Sequence, residues 1–228
     1  INNCVVFDSR VDAVSVISVD GAKVERINIS NITMRNIKGS AIFIRLGNRN
    51  RYYRNNVELN VPHLKDVVVE NIQGTGISAE YGCIIAGIKD IPVENIFLRN
   101  INLCFEGGKK AEDSFREIPE NETAYPNGKI FGIVPAYGFF IRHAKNVTLS
   151  GIQVSFNKED QRPAIIAENI ENLDLQRFKA KGTVKTPELI RLESAREVVI
   201  SDCSPTNEIP LFLSIHGERS NNIFLKNN

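Results

Sequence analysis

A short apolar unit recurs along this chain and constrains the fold more than any other feature. It reads Val24-Glu25-Arg26-Ile27-Asn28-Ile29-Ser30-Asn31-Ile32, then Leu64-Lys65-Asp66-Val67-Val68-Val69-Glu70-Asn71-Ile72, then Val93-Glu94-Asn95-Ile96-Phe97-Leu98-Arg99-Asn100-Ile101. Further copies begin at Lys145, Glu171, Arg196 and Asn221. With Ile27, Val67, Ile96, Val147, Leu173, Val198 and Ile223 as anchors, the separations are 40, 29, 51, 26, 25 and 25 residues. A basic period near 25 with longer gaps indicates one supersecondary unit repeated, with insertions placed in loops. Apolar residues alternate with period two inside each unit, so the unit is built from strands. The fixed Leu positions of a leucine-rich repeat are missing, and a propeller blade needs about 40–45 residues of antiparallel strand. The expected fold is therefore all-β: a right-handed parallel β-helix with rungs of about 25 residues and loop insertions.

Each rung carries a second strand before its anchor. These strands are Ala13–Ile17, Ala41–Arg45, Cys83–Ala86, Gly138–Arg142, Ala164–Ala167, Ile190–Glu193 and Leu213–His216. Alternation predicts Ile42, Ile44, Ile141, Ile166, Leu192 and Ile215 toward the core. It turns Phe43, Arg45, Phe140, Arg142, Arg191, Glu193, Ser214 and His216 outward. Arg45 and Arg142 then share one outward column two rungs apart, on an exposed face along which a polymer could lie. Asn31, Asn71, Asn95, Asn100, Asn146, Asn172 and Asn222 fall at the bends. There Asn tolerates left-handed backbone and can bond up a ladder.

Composition narrows the function classes. With 28 Lys+Arg against 27 Asp+Glu, no whole-chain field favours nucleic acid or a membrane surface. No apolar run approaches the roughly 20 residues a spanning helix needs. The four cysteines form neither a CxxC nor a Cys/His cluster, so buried free thiols are expected and no metal or cofactor is implied. Residues 1–228 read as one domain, with insertions near 46–63 and 104–136. The chain opens within a strand pattern, at Ile1-Asn2-Asn3-Cys4, so it reads as the C-terminal part of a longer β-helix. Its open end is expected to pair with an N-terminal half or to self-associate.

Three stretches carry a family resemblance: Asn31–Ile37, Ala41–Gly47 and Pro135–Ala144. With the rung spacing, they resemble glycoside hydrolase family 28, the polygalacturonases and rhamnogalacturonan hydrolases, over about residues 1–180. The resemblance implies inverting hydrolysis, in which one carboxylic acid protonates the glycosidic oxygen and carboxylates activate a water. It also implies an acidic plant cell-wall polysaccharide, galacturonan or rhamnogalacturonan, as partner, and an extracellular or periplasmic location. The family's N-T-D, D-D and G-H-G motifs are missing from this sequence, so the catalytic acids are expected upstream of Ile1. Where its R-I-K motif should fall, the chain reads Ser15-Val16-Ile17. Arg10 or Arg45 could supply the missing charge.

Two insertions hold the other candidates for substrate binding. The first brings Arg49, Arg51 and Tyr53 close after Arg45. Arg suits bidentate carboxylate contact, and Tyr stacks on sugar faces. The second holds Glu117 and Tyr125, and loops of that length without evident structure are often lids. Arg142 completes the set. His143 is expected to be structural, and Arg191, Glu193 and His216 to be surface residues. The alternative is a non-catalytic β-helix that binds acidic polysaccharide or serves a structural role. A calcium-dependent lyase ranks last, because no outward column is expected to carry several acids.

Overall fold

The structure, a computed structural model, describes residues 1–51 and 60–228. Tyr53 lies outside the described residues. The strands are β1 (Asn2–Phe7), β2 (Val14–Ser18), β3 (Lys23–Ile37), β4 (Ile42–Leu46), β5 (His63–Ile77), β6 (Cys83–Ala86) and β7 (Val93–Gly107). They continue as β8 (Phe139–Lys158), β9 (Ile165–Gln176), β10 (Lys179–Ala180), β11 (Ile190–Ser201), β12 (Ser204–Pro205), β13 (Leu213–His216) and β14 (Asn221–Lys226). The helical elements of the described residues are two single 3-10 turns, Ala111–Phe115 and Gly128–Phe131. Every strand pairs in parallel with its neighbours, and all join one large sheet, an arrangement consistent with a β-helix.

The anchors set the register. Ile27, Val67, Ile96, Val147, Leu173, Val198 and Ile223 stand opposite one another, rung on rung. Such alignment follows from alternation, because a one-residue slip would turn a whole strand's apolar set to solvent. The inward residues merge into one core that runs the length of the stack. Its ends differ from its middle: Ile215, expected toward the core, is 47 % exposed because β13 pairs only with β11.

Bends between strands use left-handed backbone. Asn95, Asn146 and Asn172 all have positive φ, and each amide donates to the rung before it, Asn146 to Asn95 and Asn172 to Asn146 at 2.9 Å. A second ladder runs Asn31–Asn71–Asn100. Gly151, at φ 63°, follows Asn100 at that bend, where glycine adopts the conformation without a Cβ clash. A third bend column holds His143, Asn169 and Ser194, with φ of 48°, 54° and 51°. Ser is not a usual tenant of that region, whereas Asn and His are enriched there.

The outward face departs from expectation in two ways. Ile166 pairs with Phe140, not with Ile141, so it points outward while Ile165 and Ala167 fill the core. Moreover, that face is not open along its length. Phe43, Ile84, Phe140 and Ile166 form an outward apolar column, and Ile118, Phe131, Val134 and Ala136 of the long β7–β8 connection pack on it as a second core. Each Phe or Ile so buried contributes about 2 kcal/mol. Beneath the same connection, Arg162 and Asp160 form a fully buried ion pair, and Arg162 also donates to Val134 O at 2.8 Å and Ala79 O at 2.6 Å. The expected polymer-bearing face is thus covered over its first rungs by the chain's own insertion.

Candidate functional site

Next to the apolar column runs a polar one. Register places Ile17, Arg45, Ala86, Arg142, Glu168, Glu193 and His216 in a single outward row. Arg45 and Arg142 do share this column, but neither lies open. Arg45 is 1 % exposed, donating to Gly87 O and Glu120 O at 2.7 Å each, with its guanidinium 5.1 Å from the Phe131 ring centre. Burial lowers its pKa to about 10. It therefore cannot touch a polymer here. Its donors hold the insertion in place, since buried carbonyls left without partners would be costly.

Arg142 stands at the edge of this cover. It donates to Ile118 O at 2.7 Å and pairs with Glu168 at 2.8 Å. Past it the column is open. Glu168 and Glu193 face each other on adjacent rungs, about 4.8 Å apart at the backbone. Burial raises the Glu168 carboxyl above its ordinary value, outweighing Arg142, which lowers it. Neither acid is among the sequence candidates for the site: Glu193 is expected at the surface, and the register puts two acids side by side in this outward column. The offset was legible. Arg142, Glu168 and Glu193 each lie five residues before an anchor, at Val147, Leu173 and Val198. Placing Ile166 inward hid Glu168 from its column, since residues two apart share a face.

His143 links the column to the next bend. The Asn169 amide donates to its Nδ1 at 2.8 Å, which leaves the proton on Nε2 to donate to Glu120 Oε1 at 3.0 Å. Its contacts match the expected structural role, but its place is beside the open acids.

Three adjoining cavities line this region. One of about 420 Å³ is bounded by Phe115, Glu117, Arg142, Glu168, Arg191 and Glu193. The next, about 270 Å³, shares Arg142, Glu168 and Glu193 and adds His143, Asn169 and Arg219. The third, about 470 Å³, shares His143, Asn169 and Arg219 and continues to Lys89, Lys145 and Arg196. Together they make a groove that follows the strand direction around the bend. It runs along the rungs, across the stack, whereas the expected polymer path follows the outward column up the stack. Phe115, 67 % exposed, sits at one end with the Arg191 guanidinium 4.8 Å from its ring centre. Arg191 is half-buried, bonded to Ser114 O and paired with Glu188, a correction to its reading as free surface.

Of the residues predicted to bind substrate, Glu117 and Arg142 come together in this groove. Arg49 and Tyr125 meet elsewhere, with the guanidinium 5.5 Å from the ring centre. Arg49 forks onto Asp20, whose pKa that bond lowers, and the Arg51 amide donates to the same carboxylate at 3.0 Å. The groove lining does not include these residues, nor Arg10, which lies exposed on the turn before β2. Among the described residues no group of three His, Cys, Asp or Glu side chains is placed to hold a metal ion.

Comparisons with known proteins add little to this geometry. The chain matches no family model and no curated protein. It is similar to a solved structure from Parabacteroides merdae, a protein provisionally named a glycosyl hydrolase, with 14 % identity and a TM-score of 0.35, over 80 % of this chain and 78 % of that one. At that depth the likeness carries no argument about activity.

Proposed function

We propose that this protein is a glycoside hydrolase acting on an acidic polysaccharide of the pectin class, outside the cell or in the periplasm. Its substrate lies in the groove across a right-handed β-helix. The carrying observation is the Glu168–Glu193 pair on adjacent rungs, in a groove that places cations on either side of it. In this reading a protonated Glu168 gives its proton to the glycosidic oxygen as the C1–O bond breaks. The Glu193 carboxylate takes a proton from the water that attacks C1, so one water is added across the bond. Arg142 draws Glu168 toward the rung opposite Glu193, which favours the wider carboxyl gap that inversion needs. The pair takes the place of the acids expected upstream of Ile1.

The test is to incubate the protein with homogalacturonan, rhamnogalacturonan and a neutral xylan. Reducing ends and the product anomer are followed by NMR. Reducing ends from an acidic backbone, lost in Glu193→Gln, support the reading. Binding without reducing ends sinks it in favour of a second reading, a module that only binds. The Arg142–Glu168 ion pair at 2.8 Å favours that second reading, because it stabilises the ionised carboxylate, which cannot act as an acid.

A further inference from the structure

We infer that the cavity beyond His143 is an anion subsite that takes carboxylates of a uronate oligomer, through Lys89 at one end and Arg219 at the other. The inference rests on the saccharide reading above and locates its charge recognition away from the Arg45–Tyr53 segment where the sequence suggested it. The cavity of about 470 Å³ brings Lys89, Lys145, Arg196 and Arg219 together with Glu171. Glu171 is committed to two of the cations, 3.0 Å from Lys145 and 2.9 Å from Arg196. Lys89 and Arg219 make no ion pair among the described residues.

They enter from opposite sides of the cavity. Lys89 is on the tight turn closed by the Ile88–Ile91 bridge, and Arg219 is on the turn where the Ser220 amide bonds Gly217 O. The rungs of β8, β9 and β11 lie between the two turns. Asn169, Ser194 and Asn221 supply neutral hydrogen-bonding groups along the same wall, the type a sugar's hydroxyls need. Two cations without an ion pair, at opposite ends of a neutral polar floor, suit carboxylates carried on polar rings. Arg219 offers a fork that matches a carboxylate, and Lys89 offers a point charge. Arg219 also lines the cavity holding Glu168 and Glu193, so a bound uronate would place its neighbouring linkage toward those acids.

The test is calorimetric titration of the intact chain with an oligogalacturonate and with the methyl ester of the same oligomer, which lacks the charge and adds one methyl group per residue. Wild type should bind the acid more tightly than the ester, with an advantage that shrinks as salt rises. Lys89→Ala with Arg219→Ala should weaken binding of the acid about tenfold at low salt and leave the ester unchanged. Both residues are on exposed turns, so an unaltered thermal midpoint verifies that the double variant is folded. Equal affinity of wild type for acid and ester, or an unchanged double variant, overturns the subsite. If the subsite behaves as stated but wild type releases no reducing ends, the hydrolase reading falls and the subsite stands. If reducing ends appear and the double variant binds normally, the subsite alone falls.

Discussion

Arg45 and Glu193 belong to one column of one sheet face, yet the chain treats them oppositely. Over the first rungs the β7–β8 connection covers the column, and Arg45 spends its donors on the carbonyls of Gly87 and Glu120. Over the last rungs the connection only borders it, through Phe115 and Glu117, and Glu168 and Glu193 line cavities. Rung register decides which residues share a face. What lies over that face decides whether a polar side chain holds structure together or can meet a ligand. The covered half should therefore answer substitution through stability, and the open half through activity.

The largest expected effect is in the open half. Glu193→Gln should lower hydrolysis of the acidic backbone by about a hundredfold to ten-thousandfold, the usual contribution of an acid–base group. Its thermal midpoint should stay close to that of wild type, because Glu193 is exposed. A Glu193→Gln protein that unfolds early and retains its specific activity would erase the distinction between the halves.

In the covered half the order reverses. Arg45→Met removes both charged hydrogen bonds and strands two carbonyls, at a cost of about 3 kcal/mol. For a chain of 228 residues that is a fall in Tm of about 6–12 °C. Binding of oligogalacturonate by the folded variant should be unchanged. Weakened binding with an unaltered midpoint would restore Arg45 to the substrate contacts that its outward direction suggested.

Much of this fold was legible, because rung spacing and alternation are written locally. The seven anchors of the repeated unit all fall in one register column. The bend asparagines do adopt left-handed backbone and bond up the stack. The site was less legible for two physical reasons. First, Ile166 and Ala167 are both apolar, so alternation within Ala164–Ala167 could not choose a face. The wrong choice carried Glu168 inward with it. Only the constant offset from the anchors resolves that ambiguity. Second, coverage is a tertiary fact. The apolar residues that seat the insertion, Ile118, Phe131 and Val134, show no period that ties them to Phe43 or Phe140.

A smaller effect separates the catalytic reading from the binding one. Burial raises the Glu168 pKa above its ordinary value of 4.5, so the folded state holds that proton more tightly than the unfolded chain. The resulting stabilisation is complete below the ordinary value and is lost as pH rises through the raised one. The Tm advantage of wild type over Glu168→Gln should therefore shrink on going from acidic to neutral pH. An advantage that grows instead would mean that Arg142 keeps the carboxylate ionised, and would favour the module that only binds.

The smallest expected effect lies outside the column, at the segment that looked most like a binding loop. Arg49 forks onto Asp20, and both side chains are largely buried, at 16 % and 18 % exposure. Arg49→Ala should cost about 1 kcal/mol, the upper end for ion pairs near a surface. Asp20 carries the sign: its pKa is lowered in the fold, chiefly by the Arg49 bond, so its stabilisation is present above the ordinary carboxyl value of 3.8 and fades as pH falls through the folded value. The Tm gap between wild type and Arg49→Ala should accordingly close in acid, while affinity for oligogalacturonate stays equal at every pH. A loss of affinity without a change in midpoint would move charge recognition back to the first insertion and away from Lys89 and Arg219.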